Sequence, residues 1–412
     1  MNPLIDHLSC DACGRRFGPG EVQYTCPDCG DLHGTLAIRY RIDEAREALL
    51  ARLASPPAGE GIWRYLPLLP VTAAPSFAHP PFGPTPLLRA DNLAPAGGKL
   101  WLKDDGRNPS GSFKDRASVV GVVDALERGA EVVTAASTGN AASSVSLFCA
   151  CAGLPAVLFV PKAAPAPKVA QLLLFGARVL AVDGTYDQAF DLSLEATRRF
   201  GWYSRSTAFN PVLGEGKKTV ALELWEQLGR RAPDAVVVPV GDGCIIGGVH
   251  KGFSDLHAMG LIDRVPAIHG VQARGSNALV TAFDAGAEVV EPIEADTLAD
   301  SISVGQPRDA RKALRAARDS GGCFVAVEDD QILAAMRTLA REAGVFAEPA
   351  GAAGFAGLRA LAERGAIDPD QETVVLITGN GLKDVAGARR AADGEPTVIA
   401  PTLAAVEGAI GG

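Results

Sequence analysis

The stretch Ala235-Val236-Val237-Val238-Pro239-Val240-Gly241-Asp242-Gly243-Cys244-Ile245-Ile246-Gly247-Gly248 joins a nearly unbroken apolar run to a glycine-rich turn and a second apolar run. A strand that is apolar at every position, rather than at alternate ones, is buried on both faces, as in a parallel sheet covered by helices. The glycines that follow let the backbone approach a phosphate. A helix starting there aims free N–H groups and the positive end of its dipole at the same point. The turn lacks the Gly-Lys-Ser/Thr of a Walker loop and is not a GxGxxG fingerprint.

The same alternation extends outward from this stretch. Strand-like pieces are K-L-W-L-K (99–103), E-V-V-T-A-A (131–136), A-V-L-F-V-P (156–161), R-V-L-A-V-D (178–183), A-I-H-G-V-Q-A (267–273) and T-V-V-L-I-T-G (373–379). Between them lie amphipathic pieces such as V-V-G-V-V-D-A-L-E-R-G (119–129), Y-D-Q-A-F-D-L-S-L-E-A-T-R-R-F-G (186–201) and T-V-A-L-E-L-W-E-Q-L-G (219–229). The pattern predicts an α/β protein with two open, mostly parallel sheets flanked by helices. Ligands of such sheets bind beyond the carboxyl ends of the strands. Residues 52–86 are rich in Pro and Ala and predict an extended, irregular connector.

Three other loops deserve reading at those strand ends. Ala136-Ser137-Thr138-Gly139-Asn140-Ala141 follows a strand and opens a helix, so its hydroxyls and N–H groups suit an anion, although an ordinary Ser/Thr cap has the same look. Thr378-Gly379-Asn380-Gly381 ends the last strand. Asn108-Pro-Ser-Gly-Ser-Phe-Lys-Asp-Arg-Ala-Ser118 places Lys114 at the head of an apolar-periodic run, against the positive end of a helix dipole, where its charge is disfavoured. A solvated lysine on a turn is the plain reading. Beside a phosphate cradle and an anion site, though, a lysine pushed toward its neutral amine is what pyridoxal phosphate requires: a Schiff-base amine, a phosphate site and donors for a substrate carboxylate.

Composition narrows the class. The 412 residues are 47% hydrophobic and 21% charged, enough apolar material for two or three domains. A net charge of -9, without a basic stripe interleaved with aromatics, excludes a nucleic-acid footprint. The start M-N-P-L-I-D-H lacks a secretory signal pattern and no apolar run reaches membrane-spanning length, so a cytoplasmic protein off the membrane is expected. Cys10-x-x-Cys13 and Cys26-x-x-Cys29 have the knuckle spacing of a zinc ribbon, two thiolates from each of two tight turns. A redox role fits poorly, because neither pair lies between a buried strand and a helix. Cys149, Cys151, Cys244 and Cys323 read as small core residues.

On these residues the chain resembles the threonine synthase branch of the fold-type-II pyridoxal-phosphate enzymes, whose architecture is like that of the tryptophan synthase β chain. The carriers are N-P-S-G-S-F-K-D-R, A-S-T-G-N, the glycine loop after V-P-V, T-L-A-D-S-I-S-V-G-Q-P (297–307), F-A-E-P-A-G-A-A (346–353) and T-G-N-G-L-K-D (378–384). The resemblance implies that Lys114 bonds to the cofactor and then serves as acid and base on substrate carbons. It implies that Asn140 binds the cofactor's 3'-oxygen, that Gly241, Asp242, Gly243 and Cys244 line its phosphate, and that Thr378 faces its ring nitrogen. Ser137, Thr138, Gly139 and Asn140 would hold the substrate carboxylate. The division expected is a ribbon-like segment 1–40, a connector and start of the large domain 41–110, a small α/β domain 111–205, and the rest of the large domain 206–412. A homodimer, a small amino-acid substrate and structural zinc complete the expectation.

One segment departs from the family. Where enzymes acting on O-phosphohomoserine carry an Asn-Ser pair, then Asn-Pro and an Arg two residues on, this chain has Thr207-Ala208, Asn210-Pro211 and Leu213. Ile245 stands where an Asn is expected, and Asp242 replaces a neutral residue. Charge-assisted contacts to a phosphate contribute roughly 1.5 to 3 kcal/mol each. Either Lys217 reaches the pocket and compensates, or a pocket of Ala208, Leu213 and Ile245 takes a substrate without a phosphate. The functions left open are a β/γ-elimination and replacement enzyme, a threonine/serine dehydratase, and a non-catalytic amino-acid-binding or interaction protein.

Overall fold

The computed structural model describes residues 1–410 except 57, 58, 138, 163, 165, 185, 207 and 369. At the N-terminus, β1 (Ile5–Cys10), β2 (Arg16–Phe17) and β3 (Leu36–Tyr40) form an antiparallel sheet in the order β2-β1-β3. The chain then lays down β4 (Leu87–Arg89) and β5 (Lys99–Asp104) and leaves to build a parallel four-stranded sheet from β6 (Val133–Ala136), β7 (Ala156–Pro161), β8 (Arg178–Val182) and β9 (Tyr203–Ser204), order β8-β7-β6-β9. It returns with β10 (Ala235–Pro239), β11 (Ala267–Ala273), β12 (Phe324–Val327) and β13 (Glu372–Ile377), completing a six-stranded sheet in the order β12-β11-β10-β13-β5-β4. Only edge strand β4 runs antiparallel. Every residue of β10 and β13 is buried, the two-sided burial their apolar runs require.

The connector is more ordered than its prolines imply. Gly61–Leu68 forms a 3-10 helix with Trp63 and Tyr65 buried, and the Tyr65 hydroxyl donates to Glu226 at 2.6 Å. Burying two aromatic rings outweighs the extended bias of the surrounding prolines. Among the described residues, no helix is long and apolar enough to cross a membrane.

The lysine helix (Lys114–Glu127) packs against the helices Asn140–Ala152 and Val212–Gln227. A buried charge network fixes it: Arg116 donates to Asp105 at 2.6 and 2.9 Å and to both oxygens of Glu223 at 2.8 Å, while Lys103 of β5 donates to Glu223 at 2.7 Å. Burial pushes the Glu223 carboxyl up, but Arg116 and then Lys103 overcome it and hold the group at about 2. The charges of the K-D-R motif after Lys114 thus lock the helix to both β5 and its neighbour. Asp115 closes the turn before it, accepting from the Ser110 amide at 2.8 Å and the Ser110 hydroxyl at 2.5 Å.

Candidate active site

Four chain segments leave the carboxyl ends of β5, β6, β10 and β13 and meet around a cavity of about 590 Å³. Lys114 is the first residue of its helix, and Phe113 before it donates its amide to the Thr378 carbonyl at 2.9 Å. The Asn380 amide donates to the Gly111 carbonyl at 2.9 Å and the Glu348 amide to the Gly379 carbonyl at 3.0 Å. The loops of residues 108–113, 346–351 and 378–381 are therefore stitched together by backbone bonds. At Gly379 a Cβ would lie 2.0 Å from Oε1 of Glu348, so any other residue there would displace that carboxyl.

Lys114, Ser137, Gly139, Asn140, Gly241, Asp242, Gly243, Cys244, Ile245 and Thr378 all line this one cavity. Thr138 and Thr207 lie outside the described residues. Burial first, and the Arg205 guanidinium second, lower the pKa of Lys114 against the opposing pull of Cys244, Asp242 and Glu348. Ser137 Oγ accepts from the Gly139 amide at 3.2 Å and so shapes the turn before the helix that Asn140 starts. Cys244 lines the site at the start of the helix Cys244–Ala258 as well as being buried, so it is more than the core residue its context implied.

Three residues of the expected side-chain pocket do not line this cavity. Leu213 is fully buried against the lysine helix, where a Cβ on Gly121 would meet its Cδ2 at 2.8 Å. Ala208 is buried at a φ of 59° and Lys217 is buried behind the helix of Cys244; neither lines the cavity. Burial lowers Lys217 to about 8, with Arg205 and Lys114 adding to it and Cys244 opposing. Of that set, only Ile245 faces the site among the described residues.

Two functional candidates escaped the sequence reading. Arg205, just after β9, lines the cavity and donates Nε to Ser118 of the lysine helix at 3.0 Å. Glu348 is buried in the wall and accepts from Asn140 Nδ2 at 2.7 Å. Burial raises the Glu348 carboxyl to about 7, against the Asn140 bond, Lys383 and Lys114. Signals existed for both: an arginine directly after a short buried strand, Tyr203–Ser204, and a carboxylate before a proline in an apolar run.

The residues fit pyridoxal phosphate. An amine, an amide and a hydroxyl surround a glycine-lined loop where side chains are excluded: a Cβ on Gly243, at φ 90°, would meet Ala313 Cβ at 2.8 Å and the Asp309 carbonyl at 2.9 Å. Asp242 is tied down by the Arg308 amide, which donates to its Oδ1 at 3.2 Å, and by the Asp309 amide, which donates to its carbonyl at 2.9 Å. Burial raises the Asp242 carboxyl, which favours the neutral acid beside an anion.

In the N-terminal sheet, the Sγ atoms of Cys10, Cys13, Cys26 and Cys29 lie within 4.8 Å of one another.

Residues 79–379 match the family of pyridoxal-phosphate dependent enzymes. A threonine synthase of Methanosarcina acetivorans is 39% identical over 98% of this chain and 99% of its own length. One from Methanocaldococcus jannaschii is 39% identical over 95% and 96%. The structure of the processed form of threonine deaminase isoform 2 from Solanum lycopersicum superposes with a TM-score of 0.66 over 92% of this chain and 98% of that one, at 24% identity, a likeness of fold.

Proposed function

Since the chain belongs to the threonine synthase family of pyridoxal-phosphate-dependent enzymes, we propose which substrate it takes and which of its residues do the work. It is a pyridoxal-phosphate-dependent lyase resembling threonine synthase, acting on a small amino acid. Our reading is that the substrate carries a phosphate on its side chain, as O-phosphohomoserine does. Phosphate leaves from the γ-carbon and water adds at the β-carbon. The observation that carries this reading is Arg205, a buried guanidinium facing the cavity beside Lys114, in the segment where the family keeps its substrate-phosphate ligands. It supplies a charge that Leu213 does not.

Lys114, Asn140, Thr378 and the backbone of 241–244 would hold the cofactor, which when bound supplies an electron sink for charge developing at the substrate carbons. Lys114, lowered toward its neutral amine, takes and returns protons at those carbons. Glu348 fixes the Asn140 amide through one N–H and so orients the rest of that side chain toward the cavity. Ser137, Gly139 and Asn140 receive the substrate carboxylate at a helix start. Thr378 offers the ring nitrogen a neutral partner. The backbone bonds among the loops of residues 108–113, 346–351 and 378–381 hold Lys114, Glu348 and Thr378 in fixed relation around the substrate.

The test is phosphate release from O-phosphohomoserine by the cofactor-loaded protein. We expect turnover, and for Arg205→Ala a KM raised about 10- to 100-fold, the loss of one charge-assisted bond. Ammonia released from threonine or serine, with no phosphate from O-phosphohomoserine, would replace this reading with the dehydratase one.

The four ribbon thiols fit Zn²⁺, whose tetrahedral thiolate sites bring sulfurs this close: Cys13 and Cys26 Sγ are 3.8 Å apart. Metal analysis should return about one zinc per chain, as a single four-cysteine site requires. We add a cytoplasmic location, where such thiols stay reduced, and a homodimer, as the family implies.

A further inference from the structure

The ribbon reaches the segment that carries Arg205 through the side chain of Tyr24. Tyr24 stands two residues before Cys26, and its ring stacks on Phe209 with centroids 4.5 Å apart and an interplanar angle of 26°. The same ring meets Tyr203 edge-on at 6.3 Å, and its Oη accepts the Ser204 amide at 2.9 Å. Tyr203 and Ser204 are β9, and Phe209 ends the turn that follows. Between these two grips lies the segment that brings Arg205 to the cavity wall. Its Ala208 is held at φ 59°, a conformation a non-glycine residue keeps only when its surroundings impose it. From the other side the segment is tied by the Arg205 amide to the Thr134 carbonyl at 2.7 Å and by Asn210 Nδ2 to the Ser204 carbonyl at 2.9 Å.

The ribbon itself is anchored to the body away from this contact. Tyr40 donates to Glu215 at 2.9 Å, Arg315 to Asp11 at 2.8 Å, and Lys312 to the Leu36 carbonyl at 2.9 Å. The turn carrying Tyr24 is held by the cysteine cluster, with Cys26 fully buried within it, by the Cys26 amide on the Gly34 carbonyl at 2.8 Å, and by the pairing of Asp31 with Arg198 of the body. We propose that Tyr24 is a positioning residue for the substrate: the cysteine cluster, closed around a metal ion, presses Tyr24 onto Ser204 and Phe209 and thereby holds Arg205 in place. The substrate part of this inference rests on the reading of Arg205 given above; the mechanical part does not. The ribbon then belongs to the substrate site although none of its residues touches substrate.

The experiment uses the full, cofactor-loaded chain and two readouts. The first is amide hydrogen exchange across residues 203–210. Tyr24→Ala, and separately removal of zinc from the wild type by a chelator, should each speed exchange there about tenfold or more, while exchange in β10 and β13 stays unchanged. Tyr24→Phe, which keeps the stacked ring, should stay within about threefold of wild type. The second readout is steady-state kinetics: Tyr24→Ala should raise KM for O-phosphohomoserine about tenfold, with kcat within twofold and the cofactor absorbance unchanged. A purely structural role would instead lower kcat and cofactor occupancy together. Unchanged exchange across 203–210 in Tyr24→Ala overturns the inference whatever the substrate is. So does an unchanged KM in Tyr24→Ala when Arg205→Ala raises it. An unchanged KM in Arg205→Ala itself sinks the phosphate reading instead, and leaves the exchange result to decide the mechanical claim.

Discussion

Glu348 is a carboxyl in an environment that disfavours its charge. Its carboxyl is raised from 4.5 to about 7 because burial outweighs the Asn140 bond and the nearby lysines. A raised carboxyl stabilises the fold fully below the unfolded value and loses that contribution as pH climbs through the folded one. A shift of this size corresponds to about 3 kcal/mol. In the cofactor-free protein, Glu348→Gln should therefore remove a fall in stability between about pH 4.5 and 7, read as urea midpoints of wild type and variant across that range. Parallel midpoints would show that the carboxyl stays charged. At Lys114 the expectation is simpler: Lys114→Ala should abolish the visible absorbance of the bound cofactor and leave the fold intact by circular dichroism. Lys114 could be read from the sequence because its placement at a helix start is a local oddity. Glu348 and Arg205 could not be given roles, because what makes each functional is burial by segments far away in the chain.

At the scale of elements, the strands were legible because two-sided burial leaves a continuous Val/Ile pattern, as in β10 and β13. The glycine turn after β10 was legible for the same local reason. What the pattern did not disclose is which individual side chains reach the cavity: Leu213 and Lys217 lie on one helix, Val212–Gln227, and neither lines it. Helical phase against a partner decides that, and the partner is known only once the fold is. Two outcomes test the elements. Gly243→Ala would drive a methyl into Ala313 and the Asp309 carbonyl at a positive φ. We expect pyridoxal phosphate affinity to fall at least about tenfold, measured by cofactor titration, since about 1.4 kcal/mol suffices; an unaltered affinity would mean that this turn is not the cradle. Arg116→Met leaves Asp105 and Glu223 buried with a partner removed, and should cost about 3 to 5 kcal/mol in urea unfolding. Because Glu223 sits at about 2, below its usual range, the network's contribution is present above about pH 4.5 and drains away as pH falls toward 2.

For the whole molecule, the outer surface carries one clue to the proposed dimer. Leu174, at the end of the helix Ala166–Leu174, is 87% exposed and Leu382 is 73% exposed. Their elements are joined by Lys383 Nζ donating to Gln171 at 2.9 Å. Covering such leucines with a second copy would remove apolar surface from water. Sedimentation should give a dimer for the wild type and a monomer for the double variant Leu174→Glu, Leu382→Glu. The order of the large sheet has a different consequence. β5 precedes Lys114 in the chain, yet its central partner is β13, with Lys99 opposite Glu372. During synthesis the four-stranded sheet can assemble as soon as residues 133–204 have emerged, but β5 must wait for β13, the last strand described, to be made. Thr378 and Glu348 arrive with it. A nascent or prematurely ended chain therefore has its lysine but lacks the loops that hold the cofactor against it.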